Sequence, residues 1–459
     1  MFNRIAYNFC LALLSISIPA WSQSPAAGSP LSPEAGATPK LRIDLKEAVA
    51  IALGPKGNVM VQMTEESVDQ ARWRSAQARA ALLPNVDSSV GQLSQTRNLL
   101  AFGINPQIPI PGFVFPTFAG PYSVFDARVT ASQSLLDLSA IRRYQASRVG
   151  ISQAQAEQEN SQDRIRDQVA RAYLAVLRAE AHTKAAKSNV DLANALLKLA
   201  SDQKSAGTGT GIEITRARVQ LANEKQRLLI AQNDLTRAEF QLLRTMGQDL
   251  TTALELSDTL SYKPSETVTL KQALLTAWSS RADWQVQQRR EEAARMNQSA
   301  VRLERVPSVI LFADYGSIGP GIDHAIPTRS YGFSVRVPVF DGGRRDARRA
   351  ESASQLQQEA ARTRDLRAQI EMEIRLALDS LQSAEEQVQT SREGLDLAQN
   401  EMEQSQRRLK TGVGSGIEVT DAQTRFERAQ DNQISALFNY ALAQIDLQSA
   451  MGTIRRMVQ

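Results

Sequence analysis

Two long stretches of the chain carry an apolar residue at every seventh position. In the later one Ile374, Leu381, Val388, Leu395, Met402 and Leu409 keep that spacing, and Ala377, Ala384, Ser391, Ala398 and Ser405 follow the first five by three residues. In the earlier one Val169, Val176, Thr183, Val190 and Leu197 are followed in the same way by Ala172, Ala179, Ala186, Ala193 and Ala200. A strict heptad winds helices into a left-handed supercoil, and small residues in one seam let them approach closely. The pattern predicts helices over about 139–205 and about 344–410, each on the order of 100 Å long at ~1.5 Å per residue. No compact globule needs such helices. A long tube does.

Ahead of each long helix the period falls from seven to two. Phe125, Ala127, Val129 and Ala131 alternate with Asp126, Arg128, Thr130 and Ser132; Tyr331, Phe333, Val335, Val337 and Val339 alternate with Ser334 and Arg336. Such runs predict strands with one apolar and one polar face, of the ~9–11 residues that a tilted strand needs to cross a bilayer. Residues 86–96 and 308–317, which alternate less cleanly, are their candidate partners. Between the strands lie 97–122, with five prolines, and the shorter 318–330. Shorter helices are predicted at about 44–53 and 58–82, with Gly54-Pro55-Lys56-Gly57 between them and Pro84 closing the second; 268–306, ending at Pro307, answers them in the later half.

The two halves are copies. Residues 207–247 align without a gap on 412–452 at a constant offset of 205, which places Gly207 on Gly412, Gly211 on Gly416, Ile212 on Ile417, Glu213 on Glu418, Thr215 on Thr420, and Met246-Gly247 on Met451-Gly452. A period of that length means two domain-sized units, not a solenoid. The expected organisation is a signal peptide at 1–22 and a flexible Pro/Ser-rich leader at 23–40. The first repeat then covers 41–253, with strands at about 86–96 and 124–134 and a hairpin tip at 206–211. A linker at 254–267 leads to the second repeat at 268–453, with strands at about 308–317 and 331–339 and a tip at 411–416; a tail covers 454–459.

Composition narrows the picture. Aromatics are 5% of the residues and the net charge is +4, spread along the chain, which argues against a nucleic-acid surface. Arg4, the apolar run from Phe9 and Ala20-Trp21-Ser22 read as an export signal. The sole cysteine, Cys10, lies within it, so disulfides and thiolate chemistry are not expected of the processed chain. No later run of about 18 apolar residues predicts a membrane-spanning helix. A membrane-inserted part must then be built of strands.

Each long helix is predicted to turn at a glycine-rich tip, with Gly207, Gly209 and Gly211 in the first and Gly412, Gly414 and Gly416 in the second. Glu213, Glu418 and Asp421 follow directly. Thr210-x-x-Glu213 and Ser415-x-x-Glu418 fit a capping box, a purely local role. The other reading is an acidic ring around a tube mouth, which repels anions and attracts cations. Asp421 has no place in the box, and one side chain can serve both roles.

The duplicated Gly-x-Gly-x-Gly-Ile-Glu-[Ile/Val]-Thr tip, the Met-Gly closings, the Leu82-Leu83-Pro84 junction, Ser134-Leu135-Leu136-Asp137 and Pro338-Val339-Phe340-Asp341-Gly342-Gly343 together resemble TolC-type outer-membrane efflux proteins. The resemblance spans 41–453 and rests on the order and duplication of these motifs. It implies a mainly α protein with a membrane β-barrel. Each repeat gives two strands and a long coiled helical hairpin, and a homotrimer forms a 12-stranded barrel and a periplasmic α-helical tunnel. It implies a passive export duct in outer-membrane lipid, served by a periplasmic adaptor and an inner-membrane pump of RND or ABC type. Glu418 and Asp421 match family positions lining the closed entrance, Glu213 matches one that helps hold it shut, and the six tip glycines fall where the adaptor docks. A basic gate partner is implied in the second tip, but Gly414 stands there. Arg407 and Arg408 are the nearest cations.

No catalytic constellation is found. His182 and His324 are the only histidines and lack metal-ligand spacing, and Gly54-Pro55-Lys56-Gly57 lacks the P-loop pattern. The expectation is no enzyme, cofactor, metal or nucleic acid. Against the duct stands a periplasmic coiled-coil scaffold or adaptor without a pore; strands with one polar and one apolar face separate the two.

Overall fold

The computed structural model describes residues 40–104, 116–264 and 267–457. The expected signal peptide and nearly all of the leader lie outside these residues, as do 105–115 of the first interstrand loop, 265–266, and 458–459.

The two heptad stretches are α3 (Leu138–Ser205) and α7 (Arg344–Lys410), with 68 and 67 residues. Each folds back into a returning helix, α4 (Gly211–Met246) and α8 (Gly416–Ala450). Every heptad position named above is buried or half-buried. Ala384, at 4% exposure, and Ala193, at 1%, show how closely the small-residue seam is approached. Ala384→Leu overfills that seam and should cost about 1–3 kcal/mol. A lowered melting temperature is the expected result, and an unchanged one would mean that the seam is loosely packed.

Shorter helices brace the hairpins: α1 (Leu45–Leu53) and α2 (Val59–Ala80) in the first half, α5 (Leu270–Ser280) and α6 (Ala282–Leu303) in the second. The two main cores are repeat images of each other. Ile165, Val169, Ala172, Leu242 and Met246 are buried in one, and their counterparts Ile370, Ile374, Ala377, Leu447 and Met451 in the other. The Met-Gly closings have a double cause. Gly247 and Gly452 hold φ of +73° and +69°, a left-handed helix end, and a Cβ there would lie 2.4 Å from the Gly57 carbonyl or 2.8 Å from Arg281 Cα.

Two expected boundaries change. The segment 254–267 is more than a linker: β4 (Leu254–Leu256) pairs in parallel with β1 (Leu41–Ile43). Ile454 to Met457 form a short helix, α9, rather than a free tail. Ile454 is buried in the first core and Arg455 bonds Asp163 at 2.8 Å, which ties this end to α3.

The remaining strands are β2 (Asn85–Asn98), β3 (Phe118–Leu136), β5 (Ser308–Gly319) and β6 (Ile326–Arg336). They form one antiparallel sheet in the order β2-β3-β5-β6, so β3 against β5 joins the two halves. The strand expected at 331–339 is shifted. It starts at Ile326, opposite Ile318, and ends at Arg336, because Pro338 has no N–H to continue the ladder.

Opposite residues in an antiparallel pair share a face, so the register sorts the side chains. Val90, Ala127, Val129, Leu311, Ala313, Tyr331, Phe333 and Val335 fall on one side. Asp87, Thr130, Asp314 and Ser330 fall on the other, where Arg128 bridges Asp126 and Asp314. On the apolar face Tyr331 is 80% and Phe333 73% exposed.

Candidate functional site

The tips of the two α-hairpins lie side by side at one end of the structure. Gln203 Nε2 donates to the Leu409 carbonyl at 3.4 Å, and Leu192 and Leu196 of the first hairpin pack against Met402, Val419 and Ala422 of the second. Between them sits a cavity of about 130 Å³, bordered by Glu213, Arg216, Gln220, Ser415 and Gln423.

The glycines shape these turns. Gly207 and Gly412 reverse the chain in the left-handed region, with φ of +77° and +76°. Gly209 and Gly414 donate back to the Gln203 and Arg408 carbonyls at 3.0 and 2.9 Å. A Cβ at Gly414 would stand 2.9 Å from Arg408 Cβ, and one at Gly209 3.0 Å from the Lys204 nitrogen. Gly211 and Gly416 open the returning helices.

The three acidic residues do not behave alike. Glu213 accepts from the Thr210 N–H at 2.9 Å, which makes it a helix cap. At the second tip Ser415 Oγ accepts from the Glu418 N–H at 3.3 Å, but the Glu418 carboxylate turns to Arg408, with Nε 3.5 Å away. Asp421 binds Arg425 at 2.5 Å, and Arg425 also reaches Glu401 across the hairpin at 2.6 Å. Each acid of the second tip thus has an arginine of its own hairpin beside it. Among the described residues, no group of three or more His, Cys, Asp or Glu side chains is placed to hold a metal ion.

A sequence profile described as "Outer membrane efflux protein" matches residues 56–248 and 274–453, each covering most of one repeat. The chain belongs to the outer membrane efflux protein family. It is a transport protein of the outer membrane, an export duct and not an enzyme. It is 24% identical to the pyoverdine export outer membrane protein OpmQ of Pseudomonas putida, over 97% of each chain. It is 23% identical to the outer membrane protein TolC of Vibrio cholerae, over 82% of this chain and 84% of that one. Among solved structures, the CmeC outer membrane channel of Campylobacter jejuni superposes with a TM-score of 0.77 at 16% identity, over 89% of this chain and 85% of that one.

Within this efflux protein Gly414 has a local explanation. A side chain there would press on Arg408, so the turn admits glycine and leaves Arg408 free to reach Glu418. Arg408 was one of the two nearest cations in the sequence; the part of Arg425 was not visible there.

One further cluster escaped the sequence reading. Above the tips, α4 carries Glu224 and Arg227 and α8 carries Gln423 and Glu427, all in one polar contact between the hairpins. Glu224 stands where the second half has Ala429, and Glu427 where the first has Ala222. A charge that breaks the repeat at a helix–helix seam was the available signal.

Proposed function

We propose that three copies of the chain close into a 12-stranded barrel in the outer membrane, continued by an α-helical tunnel whose periplasmic mouth is formed by the tips at 206–211 and 411–416. The observation that carries this reading is the four-stranded sheet. Its edges, β2 and β6, present rows of backbone donors and acceptors that lipid cannot satisfy, and one of its faces carries most of the sheet's apolar side chains while the other carries Asp87, Asp126, Arg128 and Asp314. No described helix is long and apolar enough to cross a membrane. Pairing β6 of one copy with β2 of the next removes every edge, sets the apolar face toward lipid and encloses the polar face.

In this arrangement Glu213, Glu418 and Asp421 line the mouth, and the glycine tips are the seat of a periplasmic adaptor that links the duct to an inner-membrane pump of RND or ABC type. Gly209→Val and Gly414→Val, which push into the preceding helix ends, should leave trimer yield intact and lower efflux severalfold. Retained efflux would move the docking site elsewhere. The assembly itself is tested by single-channel recording on the purified protein in planar bilayers, with cross-linked mass measured in parallel. A trimer-sized species that conducts is expected. Folded protein that neither conducts nor cross-links to that size would restore the scaffold reading.

A further inference from the structure

Glu224 is fully buried, at 0% exposure, and Glu427 nearly so, at 6%. They come from different hairpins, α4 and α8, and meet at one guanidinium, that of Arg227. Gln220 Nε2 donates to Glu224 Oε1 at 2.8 Å, Gln423 Nε2 donates to Glu427 Oε1 at 3.0 Å, and Arg227 reaches both acids. Glu224 Oε2 and Gln423 Oε1 are buried without a partner. Two carboxylates facing one guanidinium leave an uncompensated negative charge out of water, which is costly. One proton removes that charge and turns the orphaned Oε2 into a donor.

We propose that Glu224 holds a proton in the buried cluster, and that this proton latches the first α-hairpin to the second, so that the mouth loosens as pH rises. The proposal rests on the mouth assignment above and adds a titrating control to it. Helix α4 rises about 20 Å between the tip and Glu224 at ~1.5 Å per residue, so a small separation at the pair is magnified at the tips. Gln220 and Gln423 also border the cavity between the hairpin feet, so the pair closes the upper end of a space already open below.

Burial, and then the charge of Glu427, raise Glu224 above the ordinary carboxyl value of 4.5, while Arg227 acts in the other direction. A proton held more tightly in the latched state favours that state at low pH and ceases to do so as pH rises through the raised value. The other charged groups facing the cluster are Asp431 of α8, which acts on Arg227, and His182 of α3, whose Nδ1 lies 3.3 Å from Asp431.

The test uses the full chain carrying Cys10→Ser, with spin labels on cysteines introduced at Thr208 and Val413, one on each tip. Tip-to-tip distances are measured from pH 5 to pH 9 in parallel with single-channel conductance. The expected result is a distance that lengthens with pH, with a midpoint above 4.5, and that loses its pH dependence in Glu224→Gln. In Glu427→Gln the midpoint should fall, and in His182→Gln the response should persist. A distance that does not move with pH, or that moves equally in Glu224→Gln, overturns the latch even if the pore conducts. A distance that responds in protein that never conducts upholds the latch and overturns the duct mouth.

Discussion

Val129→Arg and Phe333→Arg are each expected to prevent barrel assembly. Both positions lie on the apolar face of the sheet, Val129 on β3 and Phe333 on β6, and both are well exposed in the single chain. In the proposed barrel that exposure is to hydrocarbon, where an arginine near mid-depth costs ~2–4 kcal/mol. In the proposed trimer the penalty recurs in every copy, so one substitution costs roughly 6–12 kcal/mol per trimer by the same scale. That is as large as the whole stability of an ordinary domain. Thr130→Arg, one residue away on the polar face, is the control and should assemble. Trimer yield in detergent, read by gel mobility or light scattering, decides the matter. Normal yield from both apolar-face variants would mean that this face does not meet lipid.

Arg408→Gln combined with Arg425→Gln should make the pore distinctly more cation-preferring. In the native chain each of these arginines offsets an acid of the second tip, Glu418 or Asp421. Removing both from the three chains of the proposed trimer strips six positive charges from its mouth. At ~10 Å each contributes about 0.4 kcal/mol in water, and one Debye length of screening at 0.1 M salt leaves about 1 kcal/mol in total. The potential then favours a monovalent cation roughly fivefold and disfavours an anion by a similar factor. Reversal potentials across a salt gradient measure this directly. The effect should vanish at 1 M salt, where the screening length is ~3 Å. Unchanged selectivity at low salt would place these carboxylates away from the ion path.

The long helices were the most legible part of the chain. Expected over about 139–205 and 344–410, they run Leu138–Ser205 and Arg344–Lys410, because a heptad sustained over so many turns has no competing reading. The strand before the second long helix was less secure. Val337 and Val339 prolong the alternation past Pro338, and side-chain period alone does not register a missing amide. The acidic residues show where sequence reasoning ends. Thr210-x-x-Glu213 and Ser415-x-x-Glu418 have the same spacing, yet only Glu213 turns back to its cap, because in the second hairpin Arg408 competes for the carboxylate. The bond from Arg227, beside Glu224, to Glu427 joins residues 200 apart and follows no local pattern. Only the approach of the two hairpins brings it into being.

The pairing of β3 with β5 carries a consequence for symmetry. Each half supplies one β-hairpin, and within the chain the last strand of the first hairpin meets the first strand of the second. In the ring, β6 against a neighbour's β2 is the same encounter between equivalent strands. The proposed trimer is therefore a quasi-sixfold object in which three of the six seams are hydrogen-bonded within subunits and three are left to form between them. The internal seam shows the geometry that the external one must reproduce. Divergence between the halves, as at Glu224 and Arg408, is what turns six equivalent places into two kinds of three.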